Sequence, residues 1–223
     1  MLSVIIAFAS KPDGRGRTHL YRLLHDTPYK AKPAILNSIY EPPVSTTAAG
    51  RPSVLLETER LIMRPPELGD FDDSYAMWSE EVVTRHITGR PSTLAEAWAR
   101  LMRSAGHWTL LGFGFWVVRD KESGKFVGEV GFGQFKREME PSLGTTPEIG
   151  WVLAPAAHGQ GYATEAVRAA LAWASLRWPD AETACIISPE NSASLRVAKK
   201  CGYLESEQTS YLDHATIILR RTA

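Results

Sequence analysis

The segment Pro147-Glu-Ile-Gly-Trp-Val-Leu-Ala-Pro-Ala-Ala-His-Gly-Gln-Gly-Tyr-Ala-Thr-Glu-Ala166 constrains the fold more than any other part of the 223-residue chain. Its first third is an apolar run with the composition of a buried strand. The run leaves through a Pro- and Gly-containing loop, and a helix follows from about Tyr162 to Arg177. Ala166, Val167, Ala170, Leu171 and Ala174 recur at helical spacing and form its apolar stripe. Gly159 and Gly161 let the loop turn tightly and bring backbone N–H groups close to a ligand. The helix behind it adds unpaired N–H groups and the positive end of its dipole. Such a device binds phosphate or pyrophosphate. The competing reading is a plain turn with a glycine at each bend. The third glycine of a dinucleotide fingerprint and the Gly-Lys-Ser/Thr of a Walker loop are both missing.

The flanking sequence sets this unit among other strands and helices. A strand is expected over Leu55–Arg64, ended by Pro65-Pro66. Gly69-Asp70 opens a helix to about Arg85, and Ser92-Thr93-Leu-Ala-Glu96 opens a second to about His107. Strands follow at Phe113–Arg119, Lys125–Phe135 and Pro147–Ala154. After the long helix come a buried strand at Glu182–Ile187, a short helix capped by Asn191 and ended by Gly202, and one or two strands over Tyr211–Arg220. That order predicts a mixed α/β (α+β) layer fold with helices covering a largely antiparallel sheet.

Residues 1–53 differ from the rest. They hold six of the 14 prolines, seven basic and three acidic side chains, and so a net charge of +4. They read as a Pro-rich basic extension, partly disordered or loosely docked, before a domain at 54–223. A start downstream of Met1 is the alternative for that stretch. Over the whole chain 25 basic side chains balance 25 acidic ones. The balance argues against a general nucleic-acid binder, which needs a basic face. No apolar run approaches the ~18 residues of a membrane span. The apolar start has no basic residue ahead of it, which argues against a secretory signal. Two cysteines, Cys185 and Cys201, cannot build a disulfide scaffold or a four-cysteine zinc site, and the scattered histidines suggest no metal. A cytoplasmic protein is expected.

Four segments together resemble the GNAT N-acetyltransferases, in particular the ribosomal-protein-alanine acetyltransferase branch. They are Leu56-Glu-Thr-Glu-Arg-Leu-Ile-Met-Arg64, Glu148-Ile-Gly-Trp-Val-Leu153, Gly159-Gln-Gly-Tyr-Ala-Thr-Glu-Ala166 and Asn191-Ser-Ala-Ser-Leu-Arg-Val-Ala-Lys-Lys-Cys-Gly-Tyr203. The resemblance covers about 54–220, with His158 where the family often has Arg or Gln. It implies a splayed fourth strand at Glu148–Leu153 and acetyl-CoA as acyl donor. Backbone N–H groups of His158, Gly159, Gln160, Gly161, Tyr162 and Ala163 would hold the pyrophosphate, with the Thr164 hydroxyl assisting. Val152 and Ala154 would pair with the pantetheine arm. Asn191 and Ser194 would lie near the thioester or act only as a helix cap.

The implied chemistry is direct attack of a primary amine, from a small molecule or a protein N-terminus, through a tetrahedral intermediate. The Leu153 N–H would hold the oxyanion. The base would be a partly buried carboxylate, Glu148 first and Glu129 second. The family's leaving-group tyrosine falls at Ala198, so Tyr203, Ser194 or water would replace it. Glu165 would cap its own helix, His86 and His107 would border the acceptor site, and Trp98, Trp108, Trp116 and Trp151 would line it or pack the core. The missing tyrosine leaves a non-catalytic coenzyme A-binding module as the alternative. A monomer or homodimer is expected, and the mildly acidic domain suits a cationic acceptor.

Overall fold

The computed structural model describes residues 54–222, so the 1–53 extension lies outside the described residues. Eight strands form one sheet: β1 (Leu56–Glu57), β2 (Leu61–Arg64), β3 (Phe115–Asp120), β4 (Phe126–Gly133), β5 (Glu148–Leu153), β6 (Thr183–Ile187), β7 (Leu204–Tyr211) and β8 (His214–Arg221). Their order is β1-β2-β3-β4-β5-β6-β8-β7, and every neighbouring pair is antiparallel except β5 with β6. The expected mixed, largely antiparallel sheet is the one observed.

Alternation along the strands sorts two faces. Trp116, Val118, Val130, Phe132, Ile149 and Leu153 pack with Ala166, Val167, Ala170, Leu171 and Ala174 of α4 (Tyr162–Arg177). Helix α5 (Ser192–Lys200) adds Ala198 to the same cluster. Phe126, Val152 and Ala154 instead meet α1 (Phe71–Trp78), α2 (Glu81–Thr84) and α3 (Leu94–Leu111) through Met77, Trp78, Val83 and Ala97. Cys185 and Cys201 are buried thiols, neither of them in a disulfide.

Four boundaries differ from expectation. The helix expected from Asp70 to Arg85 breaks after Trp78. There the Ser79 hydroxyl donates to Ala76 O at 2.9 Å and Glu80 turns extended, the competition that short polar side chains offer a helix. Helix α3 opens on a reciprocal Thr93–Glu96 cap and runs four residues past His107, to Leu111. The first strand divides at Thr58–Arg60. The C-terminal hairpin starts earlier than expected, at Leu204, and turns through Leu212-Asp213, both at positive φ.

Candidate functional site

Strands β5 and β6 run parallel, yet they pair only at Glu148 opposite Ala184, where Ala184 N donates to Pro147 O at 3.1 Å. Beyond that point the ladder ends and the strands part. Val152 lies opposite Glu129 on β4, and the Ala154 N–H donates to Val127 O at 3.0 Å. Hydrogen-bonding direction alternates along a strand. The backbone groups of Trp151 and Leu153 therefore turn the other way, into the gap that β6 leaves open.

This alternation corrects one expectation. Val152 and Ala154 face β4, and the Ala154 carbonyl is also taken, by Ala157 N at 2.8 Å. Their backbones are unavailable to an added arm, whereas those of Trp151 and Leu153 lie on the open side. The Leu153 carbonyl is met by His158 Nε2 at 2.9 Å, so the imidazole ties the loop back to the strand.

The loop stands at the open mouth of the gap. Gly159 and Gly161 have φ of +75° and +81°, and a Cβ on Gly159 would meet no atom within 4 Å. The loop backbone is thus bent as only glycine bends readily, and its outer side is clear. Gly161 is the residue before α4, whose first N–H groups have no helical acceptor. The Thr164 hydroxyl makes no hydrogen bond among the described residues. The residues present fit a pyrophosphate.

Asn191 ends the connection after β6, at the same end of the sheet as the loop after β5. Its Oδ1 accepts from Ser194 N at 3.1 Å, so it caps α5, and Ser194 is the cap's partner. Glu165 does not cap its own helix. It accepts from Thr58 Oγ1 at 2.5 Å, from Arg60 N at 3.0 Å and from Arg60 Nη2 at 2.6 Å, which ties α4 to the β1–β2 turn. Arg60 also donates to Gln160 O at 3.0 Å and lies over the Tyr162 ring at 4.5 Å. A cation thus buttresses the loop, a contact no local sequence pattern announces.

The carboxylates lie on the opposite face of the sheet, toward α1 and α3. Gly131 faces Gly150 across β4 and β5, with Glu129 beyond one end of this glycine pair and Glu148 beyond the other. Glu129 lies four positions from Gly133, which pairs with Glu148, so the two residues stand roughly 13 Å apart along the strand direction, measured on the backbone. Glu148 is buried and both its oxygens are held by Arg137, at 2.7 and 2.8 Å. Glu129 accepts from the Ser74 hydroxyl at 2.6 Å and from the Trp78 indole at 3.2 Å. Burial pushes the Glu129 carboxyl above its ordinary range, against the opposing pull of these two donors and Arg100.

Asp70, Ser74 and Trp78 recur every four residues and share the sheet-facing side of α1. Asp70 is 1% exposed and joins Arg64 of β2 at 2.7 Å and Arg119 of β3 at 2.9 Å. This anchor fixes where Ser74 and Trp78 stand, and they in turn fix Glu129. A polar residue at every fourth place of an apolar helix face was the available signal for Ser74.

Tyr203 is fully buried, and its hydroxyl bonds that of Thr183 at 2.7 Å. Burial pushes its pKa up, and it lies in the core rather than beside the loop. Trp108 and Trp116 are core residues that pack edge to face with Trp173. Trp98 is exposed against Phe71, and Trp151 is half-buried on β5. His107 Nε2 lies 3.3 Å from Gln134 O, and burial lowers its pKa. Among the described residues no cluster of three or more His, Cys, Asp or Glu side chains can hold a metal, and no helix is long and apolar enough to cross a membrane.

The acetyltransferase (GNAT) domain model matches residues 60–204. An uncharacterized protein of Bacillus subtilis (strain 168), YkkB, is 37% identical over 91 residues; the match spans 41% of this chain and only 51% of YkkB. A second protein of that organism, the uncharacterized N-acetyltransferase YnaD, is 29% identical over 147 residues, 66% of this chain and 81% of its own. Among solved structures, a GnaT-family acetyltransferase of Bordetella pertussis superposes with a TM-score of 0.67 at 31% identity, covering 75% of this chain and 99% of that one.

Proposed function

The chain belongs to the GNAT acetyltransferase family, and from that premise we propose that it is an N-acetyltransferase moving the acetyl group of acetyl-CoA to a primary amine. The observation that carries this reading is the gap between β5 and β6, paired only at Glu148 and Ala184 and ending at the Gly159–Gly161 loop. The loop and the first N–H groups of α4 supply positive partial charge for a pyrophosphate. Trp151 offers its backbone groups to the pantetheine arm, as a further strand would. Asn191 borders the arm from the β6 side. Residues 54–223 are taken as the catalytic domain, with 1–53 as an extension to it.

In the transfer the amine nitrogen forms the new C–N bond to the acetyl carbon and the C–S bond breaks. The proton passes to a carboxylate, and coenzyme A leaves as the thiolate. The Leu153 N–H faces the developing oxyanion. Glu129 is the better base of the two carboxylates. Burial has already raised its pKa toward the working pH, and one hydroxyl and one indole hold it in place. Glu148, engaged by Arg137 on both oxygens, serves instead to fix that guanidinium. Tyr203 is too deep to protonate the thiolate, which departs unprotonated or to water.

A thiol-release assay with acetyl-CoA and a panel of primary amines tests the reading. Turnover of at least one amine is expected. Coenzyme A binding without turnover of any amine would favour a non-catalytic coenzyme A-binding module.

A further inference from the structure

Resting on the acetyl-transfer reading, we propose that the amine acceptor carries an anionic oxyacid group, carboxylate or phosphate, bound by Arg100 and Arg103. These residues sit at i and i+3 on α3, so their side chains rise as neighbours from one stripe of the helix. The stripe continues to His107, whose imidazole meets Phe135 edge to face. It passes over the sheet face that holds Glu129, Gly131, Gly150 and Glu148.

The Arg100 guanidinium lies 4.0 Å over the Trp78 ring, the same indole that donates to Glu129. Arg103 lies 5.4 Å over the Phe135 ring, with Arg137 over the same ring at 4.8 Å. The Arg100 Nε is buried without a hydrogen-bond partner. An arginine is seldom withdrawn from water unless its charge is met.

Glu129 and Glu96 act on the Arg100 charge through space, but no local carboxylate makes a hydrogen bond or ion pair with it. Glu129 is occupied by Ser74 and Trp78, Glu148 by Arg137, and Glu96 by Arg90 and the Thr93 cap. Among the described residues neither Arg100 nor Arg103 has a hydrogen bond or ion pair with a protein group. Two planar forks of donors, Arg100 half-buried and Arg103 exposed, stand one helical turn apart without a hydrogen-bonded partner, and such forks suit a carboxylate or phosphate. The domain's overall acidity points to a cationic acceptor, but the charge along this stripe is positive. An acceptor with its amine near Glu129 and an oxyacid a few bonds away answers both.

Calorimetric titration of the full-length, coenzyme A-loaded protein with glutarate and with inorganic phosphate reads the subsite without turnover. Saturable binding of at least one anion is expected, weakened at least tenfold in Arg100→Ala and in Arg103→Ala, with coenzyme A affinity kept as the check on folding. The preferred anion tells carboxylate from phosphate. No saturable binding of either, or equal affinity in wild type and both variants, overturns the proposal. In the thiol-release assay, an ω-amino acid should exceed its amide at least tenfold in kcat/KM, and that ratio should collapse in Arg100→Ala. Equal use of acid and amide would overturn the subsite and leave acetyl transfer standing. Anion binding that Arg100→Ala abolishes, with no amine acetylated, would overturn the transferase reading and support the anion site.

Discussion

Gly159→Ala and Gly161→Ala probe the loop with the smallest change available. At position 159 the added Cβ meets nothing within 4 Å, and at 161 its nearest neighbour is Arg60 Nη2 at 3.6 Å, ordinary contact. Neither substitution is blocked by space. Each is opposed by the backbone, because φ of +75° and +81° costs an alanine about 1–2 kcal/mol. A free loop escapes that cost by relaxing to another conformation. Acetyl-CoA must then restore the original one, and its affinity falls by the same free energy, about 5- to 30-fold. Calorimetry with acetyl-CoA measures the loss. S-acetylpantetheine, which has no pyrophosphate, is the control and should bind almost as before. Wild-type affinity for acetyl-CoA in both variants, or an equal loss with S-acetylpantetheine, would refute the placement of the pyrophosphate on this loop.

The site's acid–base and structural groups make separable predictions. Glu129→Gln should lower kcat by about 10²- to 10⁴-fold and remove the acidic limb of the rate–pH profile, because the working carboxylate is lost as pH falls through its raised pKa. The same variant should unfold at a higher temperature than wild type at pH 8. A raised native pKa means that stability declines as pH climbs from the unfolded value to the native one, and a glutamine escapes that penalty. Asp70→Asn should cost about 3 kcal/mol in urea titrations at pH 7, since it strands Arg64 and leaves Arg119 with Asp73 alone. Burial works against the Asp70 charge, but hydrogen bonds from Arg64, Arg119 and the Glu67 N–H hold its pKa below the usual value. That contribution is present above the unfolded pKa and lost as pH falls through the native one. Tyr203→Phe should cost about 1 kcal/mol of stability through the lost Thr183 bond and leave kcat unchanged; a fall in kcat would return Tyr203 to the chemistry.

Helix α4 and its loop were legible because their signals are local. The alanine stripe at 166, 170 and 174 is buried, and the two glycines have the positive φ that the tight turn requires. The gap beside β5 was legible only through the family resemblance, and its hydrogen-bonding direction was read one residue out of phase. Direction follows from which strand lies on which side, a property of the whole sheet. Strand β7 was missed because Leu204–Tyr211 is an edge strand of mostly exposed, polar side chains and lacks the apolar alternation that betrays a strand. Glu129 and Glu148 were both picked out, but their ranking turned on partners far away in sequence. Arg137 engages one, and Ser74 and Trp78 hold the other. Arg60, Arg100 and Arg103 were invisible for the same reason. An arginine's sequence neighbours do not tell whether a carboxylate will meet it after folding.

Amide hydrogen–deuterium exchange with and without acetyl-CoA tests the central claim most directly, because it reads the backbone groups assigned to the donor. Slower exchange at Trp151, Leu153 and across His158–Thr164, with α1 to α3 unchanged, is the expected result. Unchanged exchange in both segments at saturating acetyl-CoA, or protection confined to another part of the sheet, would contradict it.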